Sequence, residues 1–300
     1  MIKPTCFFFI FCCQLYSSYV LAQESATDAS SYQEEVRHWH QDRLNRLKSP
    51  DGWLSLAGLF WIREGSSTFG SSDENNIIFP KDAPEQIGTF HRRGDSIWME
   101  VQPGIDVHSE GKSITNSSIF SPEQEPLIFE HGDLNWLVMK RSDRFALRLR
   151  DRSNPAISEL DTIPHYPINP DWRINATFHP ADSGFVIFLD DVQGLKREYY
   201  PEGSLRFNIQ GKHHEMLVLD GGRDQYFLIF GDGTNSVETY GGGRYVYTPR
   251  ADEHGQTFID FNKAYNPPCA FTDYATCLLP PVQNKTEILI EAGELSHGDH

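Results

Sequence analysis

The sequence has little positive charge. Its 300 residues include 26 lysines and arginines against 42 aspartates and glutamates, which gives a formal net charge of −16. Nucleic-acid-binding proteins cluster Lys and Arg to neutralise phosphates. The acidic balance therefore argues against nucleic acid as a partner.

A long apolar run is also lacking. A transmembrane helix needs about 20 consecutive apolar residues, and the run at Phe7–Cys13 is far shorter. Lys3 precedes this run and the small residue Ala22 follows it, a pattern typical of a secretory signal peptide. We therefore predict no membrane span, cleavage near Ala22 and a secreted or periplasmic protein. A lipid anchor through Cys12 or Cys13 is less favoured, because aromatic rather than small residues precede them.

Cysteine is scarce as well. Signal cleavage would leave two of the five cysteines, Cys269 and Cys277. An even pair in an exported chain favours a disulfide, and two buried free thiols are the alternative. A metal site is not predicted, because the neighbouring sequence lacks two further ligands at the usual spacing. The sequence identifies no cofactor.

Helical periodicity is confined to one segment, residues 34–48, which carries apolar side chains at Val36, Trp39 and Leu47. From Trp53 onward, short segments of branched and aromatic residues alternate with Gly, Pro, Asp and Asn. Because no helical pattern separates them, βαβ units and a parallel sheet are not expected. The predicted fold is mainly β, an antiparallel sandwich or barrel in two halves, preceded by one N-terminal helix. The predicted strands are Leu56–Ile62, Asn76–Phe79, Ile97–Val101, Leu134–Met139, Phe145–Leu149, Asn175–Phe178, Phe185–Leu189, Leu205–Ile209, Met216–Leu219, Tyr226–Phe230, Arg244–Tyr247, Thr257–Phe261 and Ile288–Ile290.

A proline-rich stretch before residue 171 marks the boundary between the two halves. The predicted organisation is a signal peptide at residues 1–22, a disordered leader at 23–33, the helix and first β half at 34–155, a linker at 156–170, and a second β half at 171–295.

The densest polar stretch contains the only run of three glycines, in ETYGGGR at Glu238–Arg244. Consecutive glycines allow a tight turn and a close approach by another group. The loop is either a bulged hairpin or a surface pressed against a ligand by Glu238, Tyr240 and Arg244. It is not a phosphate-binding loop, because no Lys-Ser/Thr and no helix follow it.

A second polar group follows in FIDFN at Phe258–Asn262. Period-two alternation places Asp260 and Asn262 on the face that carries Phe258, which suggests that this face is partly covered. Tyr265 and Asn266 come next, before two prolines that stiffen the loop. We therefore include these polar residues in a candidate pocket.

Arg148 lies on the strand face opposite the apolar residues of Phe145–Leu149. It is either solvated, with a local ion pair of under about 1 kcal/mol, or it reaches Glu238 or Asp260 across a pocket.

Three functions remain open. The favoured hypothesis is a pocket in the second β half that binds a small polar or anionic molecule. Its predicted ligand-binding residues are Arg148, Tyr240, Arg244, Asn262, Tyr265 and Asn266. The second is an enzyme, for example a hydrolase, with Glu238 or Asp260 as general base, although the nucleophile motif G-x-S-x-G is absent. The third is a structural or interaction protein.

Several long motifs carry a family resemblance over residues 34–294. They are SPDGWLSLAGLFWIREGSSTFGSSDENNIIFP (49–80), RFALRLRD (144–151), NPDWRINATF (169–178), ETYGGGRY (238–245), FIDFNKAYNPPCAFTDYATCLLPP (258–281) and IEAGE (290–294). The chain resembles the family of domain of unknown function 1684. That resemblance implies no established activity.

The first half also resembles a forkhead-associated sandwich, at TFGSSDENNIIFP (68–80) and GIDVHSEGKSI (104–114). The phosphopeptide-reading residues do not carry over. Ser71 stands where an Arg would follow the glycine, and Arg92 and Arg93 follow His91, so there is no Ser-x-x-His. Phosphopeptide binding is therefore not supported.

Overall fold

The structure is a computed structural model that describes residues 29–122, 125–141 and 143–297. The predicted signal peptide at residues 1–22 lies outside this range, so export remains a prediction. No helix among the described residues is long and apolar enough to cross a membrane.

Helix α1 comprises residues 29–48 among those described. Residues 29–33, predicted to be a disordered leader, are therefore helical. Val36 and Leu47 are fully buried on its apolar stripe. These residues are in contact with a distant part of the chain: the Tyr32 hydroxyl donates to Oδ1 of Asp260 at 2.7 Å. Local composition gives no sign of that partner.

The first β half consists of two sheets packed on a shared core. One has the order β1-β11-β10-β9-β6-β7 and the other β3-β2-β4-β5-β8. The pairing is antiparallel apart from β2 with β3. The strands are β1 (Leu56–Ile62), β2 (Gly65–Gly70), β3 (Ile77–Ile78), β4 (Gly88–Arg93), β5 (Ser96–Val101), β6 (His108–Ser109), β7 (Lys112–Ser113), β8 (Asn116–Phe120), β9 (Phe129–His131), β10 (Leu134–Arg141) and β11 (Arg144–Asp151).

Aromatic rings fill the space between these two sheets. Phe69 stacks on Phe90 with ring centroids 4.1 Å apart, and Trp136 meets Phe69 edge-on at 5.8 Å. All three side chains are almost fully buried. Offset and edge-to-face contacts of this kind add to the hydrophobic gain of burial.

The second half is a six-stranded antiparallel sheet with the order β18-β17-β16-β15-β12-β19, curled into a nearly closed barrel. Short helix α2 (Pro155–Glu159), capped by the Asn154 side chain, precedes it. The strands are β12 (Arg173–Pro180), β13 (Ile187–Asp190), β14 (Lys196–Tyr199), β15 (Gly203–Ile209), β16 (Lys212–Asp220), β17 (Gln225–Phe230), β18 (Arg244–Pro249) and β19 (Gln256–Asp260).

The two-stranded sheet β13–β14 packs outside the barrel. Its buried residues Ile187 and Leu189 meet Ile229 and Tyr245, which face outward from β17 and β18. Val246, between the outward tyrosines of β18, faces the barrel core. The barrel wall is thus covered on both sides, which accounts for the continuous apolar run in β17.

The predicted fold class is confirmed: the chain is mainly β, antiparallel, and has one N-terminal helix. Ile288–Ile290 differs from its prediction, because it forms no strand. The backbone of this segment forms hydrogen bonds with the turn after β17 instead of with a neighbouring strand. Ile290 N–H donates to Oδ2 of Asp232 at 2.8 Å, and Gly233 N–H donates to the Ile288 carbonyl at 2.9 Å.

Candidate functional site

A cleft of about 500 Å³ opens where helix α1 meets the outside of the barrel. Its walls come from α1, the 3₁₀ turn Trp53–Ser55, strands β17 and β18, and the loop after β19. The ten lining residues are Trp39, Arg43, Arg46, Trp53, Gln225, Phe227, Tyr245, Tyr247, Tyr265 and Pro268. We name this site the aromatic–arginine cleft.

The floor of the cleft is a cluster of rings. Tyr245 and Tyr247 lie two residues apart and so share one face of β18. Phe227 is directly opposite Tyr247 in the ladder, with centroids 5.0 Å apart. Tyr265 lies nearly parallel to Tyr247 at 6.2 Å and exchanges backbone hydrogen bonds with Tyr245 at 2.8 and 2.9 Å. The rings are therefore held by the strand framework.

Arg43 forms the wall on the helix side. Its guanidinium carbon is 4.7 Å from the centre of the Tyr265 ring, within cation–π range. Its Nη2 donates to the Asn266 carbonyl at 2.9 Å, and its Nε is 3.4 Å from Oε1 of Glu294. Asn266 N–H donates to Oε2 of Glu294 at 2.7 Å. Burial raises the pKa of the fully buried Glu294 carboxyl, and Arg43 opposes that rise.

The charged side chains that line the cleft are cationic, and Glu294, which pairs with Arg43, lies behind the wall. Arg43 and the exposed Arg46 line the cleft, and none of the ten lining residues is a carboxylate. Burial raises the pKa of the Tyr245 and Tyr265 hydroxyls, so both phenols are neutral at neutral pH. The cleft therefore offers aromatic faces, neutral hydroxyls and cationic groups.

Of the residues predicted from sequence, Tyr265 lines the cleft. Asn266 lies directly behind it and donates through Nδ2 to the Leu295 carbonyl at 2.7 Å. It is fully buried. Asn266 thus holds the loop against the C-terminal segment and positions Tyr265.

Asp260 and Asn262 form a different buried group, beneath the start of α1. Asn262 Nδ2 donates to the Tyr32 hydroxyl at 2.9 Å and to the Asn169 carbonyl at 2.8 Å. Lys263 Nζ lies 3.7 Å from Oδ2 of Asp260. The cover that alternation suggested for this face is helix α1.

Arg244 is fully buried, with 0% of its surface exposed. Its Nη2 contacts Oδ1 of Asp232 at 3.0 Å and donates to the Ile290 carbonyl at 2.9 Å, and its Nη1 donates to the Ala292 carbonyl. Burial lowers the pKa of Arg244, and Asp232 opposes that fall. The guanidinium fastens the C-terminal segment to the barrel.

The remaining predicted residues lie elsewhere. Glu238 is exposed and accepts a hydrogen bond from the Tyr166 hydroxyl at 2.9 Å. Burial, followed by this bond, raises the pKa of Tyr166 to about 12. Tyr240 is half-buried, and Arg148 lies on the outer face of β11 with its guanidinium carbon 5.5 Å from the Trp53 ring centre. The structure does not bring these residues together in one pocket.

Cys269 and Cys277 form a disulfide, with Cα atoms 6.1 Å apart, as predicted. The bond closes the loop that follows Pro268 at the edge of the cleft. No group of three or more His, Cys, Asp or Glu side chains in the described part of the chain could hold a metal ion.

Sequence reasoning missed most of the cleft. Trp39, Arg43 and Arg46 recur at helical spacing and so share a face of α1, and Tyr245 and Tyr247 recur at strand spacing. Both patterns were present in the sequence. They could not show that two surfaces 200 residues apart face each other.

Two other depressions are less suited to a ligand. One, of about 690 Å³, runs beside β1 and includes Arg92. Arg92 is already engaged, donating to the Ile62 and Gly94 carbonyls at 3.0 Å. The other, of about 630 Å³, is lined by both lysines and glutamates. The aromatic–arginine cleft is favoured because several distant segments converge on it.

The second half carries a family match. Residues 158–295 match the family described as Protein of unknown function (DUF1684). The DUF1684 segment contains the whole barrel and the loop that supplies Tyr265. The predicted resemblance is thereby confirmed for this part of the chain, while its extension into the first half and the forkhead-associated resemblance remain predictions.

A similar solved structure is the solution NMR structure of an uncharacterized protein from gene locus rrnAC0354 of Haloarcula marismortui. It is 25% identical, covers 48% of this chain and 80% of its own, and has a TM-score of 0.40. No curated protein matches the chain. The relative is itself uncharacterized and brings no activity to this protein.

A stacked pair of histidines fastens α1 close to the cleft. The rings of His40 and His165 are 4.2 Å apart and nearly parallel, at 9°. Burial, and then the proximity of His165, lowers the pKa of His40 to about 4. His40 is therefore neutral in the folded protein at neutral pH.

Replacing Arg244 should destabilise the fold strongly. Arg244→Met leaves the buried Asp232 carboxylate uncompensated, which typically costs about 3–5 kcal/mol. Urea unfolding at pH 7 measures the change. The control is Arg206→Met, which breaks an exposed pair with Glu215, side chains 55% and 50% exposed, and should cost under about 1 kcal/mol. Equal losses in both variants would contradict this role for Arg244.

The free energy of unfolding should rise with pH because of the lowered pKa of His40. Its folded pKa is below the unfolded value of about 6.5, so the unfolded chain binds the extra proton and stability is lost as pH falls from about 6.5 to about 4. The contribution is about 1–3 kcal/mol. His40→Phe should remove this part of the pH profile from urea titrations, whereas the neighbouring His38→Phe, at a side chain 76% exposed, should leave it. Parallel profiles for wild type and His40→Phe would rule out the contribution.

Proposed function

We propose that this protein binds a small organic anion with a flat, apolar body in the aromatic–arginine cleft. The observation that carries the proposal is the composition of the lining, with six aromatic rings and two arginines and no carboxylate. Ligand sites are commonly concave, mostly apolar and provided with a few polar groups that fix orientation.

The volume and position of the cleft support this proposal. A volume of about 500 Å³ is within the range of small-molecule sites. The site lies between α1 and the barrel, and clefts between structural units are favoured places for ligands. Arg43 is held by Glu294 and Asn266, so a cationic group is fixed beside the rings before any ligand arrives.

The anionic preference follows from charge. The chain as a whole is strongly acidic, yet the cleft presents arginines beside neutral phenols. A carboxylate is the anion that a guanidinium binds well, through charge-assisted hydrogen bonds. The rings would take the flat portion by stacking.

The hydrolase hypothesis gains no support from the placement of its proposed bases. Asp260 is buried and accepts hydrogen bonds from the Tyr32 hydroxyl and the Asn262 N–H, and Glu238 accepts one from the Tyr166 hydroxyl. Neither carboxylate lines the cleft. The predicted export remains part of the proposal, since binding a diffusible ligand outside the cytoplasm would suit an exported protein.

Aromatic carboxylates should bind, and aliphatic ones of equal charge should bind more weakly. Phenylacetate and benzoate are compared with acetate. Binding is measured as the change in tryptophan fluorescence, to which Trp39 and Trp53 in the cleft contribute. Tyr247, 41% exposed, can be truncated with little loss of core. Tyr247→Ala should lower phenylacetate affinity about three- to tenfold, because a stacking partner is lost.

The matched control is Tyr200→Ala, at a tyrosine 63% exposed at the end of β14. It should leave phenylacetate binding unchanged. Arg46→Ala should weaken phenylacetate and benzoate alike. The proposed function fails if phenylacetate and acetate behave identically, or if Tyr247→Ala and Tyr200→Ala have the same effect.

A further inference from the structure

A second group of cations lies between the first β half and the β13–β14 sheet. Arg141 is at the end of β10, Arg148 is in β11 and Arg197 is in β14. The charges of Arg141 and Arg148 are near enough to act on each other, as are those of Arg141 and Arg197. The first β half therefore contributes two arginines, and β14 one, to a single cluster of positive charge.

The strand register explains how the first two arginines share a surface. Arg148 is opposite Leu137, and Arg141 is opposite Arg144, so alternation puts Arg141 and Arg148 on the same face of the sheet. Ala146 lies between them on that face and is fully buried.

Among the described residues, the guanidinium groups of Arg141 and Arg148 have no hydrogen-bond or ion-pair partner, and that of Arg197 has Asp191 alone. The Nε atoms of Arg141, Arg148 and Arg197 are buried and have no hydrogen-bond acceptor among the described residues. The neighbouring Arg150 differs, because it donates to the Gly52 carbonyl and to Ser55 Oγ.

The nearby carboxylate cannot neutralise the cluster. Asp191 is buried, and its Oδ1 accepts from the backbone N–H groups of Gln193 and Leu195 at 2.9 and 3.0 Å. Its Oδ2 is 3.3 Å from Arg197. This one carboxylate contacts Arg197 and acts on Arg141, and it does not act on Arg148, so about two of the three positive charges remain uncompensated.

Burial and mutual repulsion both disfavour the charged form of these arginines. Burial, and then the charges of Arg141 and Arg150, lowers the pKa of Arg148 to about 10. Burial and then Arg197 lower the pKa of Arg141. Clustered cations that are removed from water without a counter-charge are costly, and a bound anion would relieve that cost.

We propose that Arg141, Arg148 and Arg197 form a binding site for a compact oxyanion, phosphate or sulfate. Guanidinium groups match the geometry of such ions, since each planar fork can donate two parallel hydrogen bonds to neighbouring oxygens. The site is independent of the aromatic–arginine cleft, although Trp53 borders both. An oxyanion here would connect the two β halves by bridging β10 and β11 to β14.

The test uses the purified whole chain and inorganic phosphate as the probe. Isothermal titration and thermal unfolding are measured in phosphate and in sodium chloride of equal ionic strength. Phosphate should raise the wild-type Tm by several degrees beyond chloride, because it binds the folded state. Glycerol phosphate distinguishes the source of the ligand: tighter binding than inorganic phosphate indicates an esterified phosphate, and weaker binding the free ion.

Arg148→Gln should lower phosphate affinity about 10- to 100-fold, because a charge-assisted contact is lost. Without phosphate this variant should unfold at the same temperature as wild type or higher, since removal of an uncompensated charge relieves repulsion. Arg206→Gln removes the same charge from an exposed pair and should leave binding intact.

The proposal is overturned if phosphate and chloride stabilise wild type equally, or if Arg148→Gln and Arg206→Gln retain the same phosphate affinity. Should Arg148→Gln not fold, Arg141→Gln at the end of β10 provides the same comparison and must lose phosphate binding for the site to stand.

Discussion

The buried pair of Arg43 and Glu294 is the contact on which the arrangement around the cleft depends. It connects helix α1 to the C-terminal segment, and Asn266 adds the loop after β19 to the same group. Neither charge could be buried alone without a large desolvation cost. Together they fix the helix on the barrel, and the same guanidinium becomes a wall of the cleft. Arg43 therefore has two roles: it holds helix α1 in place and it lines the candidate site.

The features that the sequence predicted well are those set by local chemistry. β1 has the predicted bounds, because Leu56–Ile62 combines branched and aromatic residues between turn formers. The pairing of Cys269 with Cys277 was predicted because signal cleavage would leave an even pair of cysteines in an exported chain. β2 was missed because Gly65–Gly70 consists mainly of Gly, Ser and Thr, and it is a strand through its pairing with β4.

The candidate site was harder to predict because its walls are brought together by contacts distant in sequence. Alternation indicated correctly that Asp260 and Asn262 were covered, but the cover is Tyr32, 228 residues away from Asp260. Tyr265 was included for the stiffness of its loop, and it does line the cleft. Arg43 was missed, since a helix pattern shows which residues share a face and not what that face meets.

The triple glycine shows why polar density alone is a poor guide to a site. A Cβ on Gly243, which has a φ of +86°, would lie 2.7 Å from the Phe230 carbonyl, so the loop is pressed against the protein itself. Its neighbour Arg244 has Asp232 and backbone carbonyls as partners. Arg148 has the same functional group and, among the described residues, no acceptor. Arg148 is therefore a stronger candidate than Arg244 for a binding residue, because the fold leaves its donors unused. This difference can be recognised once the distant partners are in place.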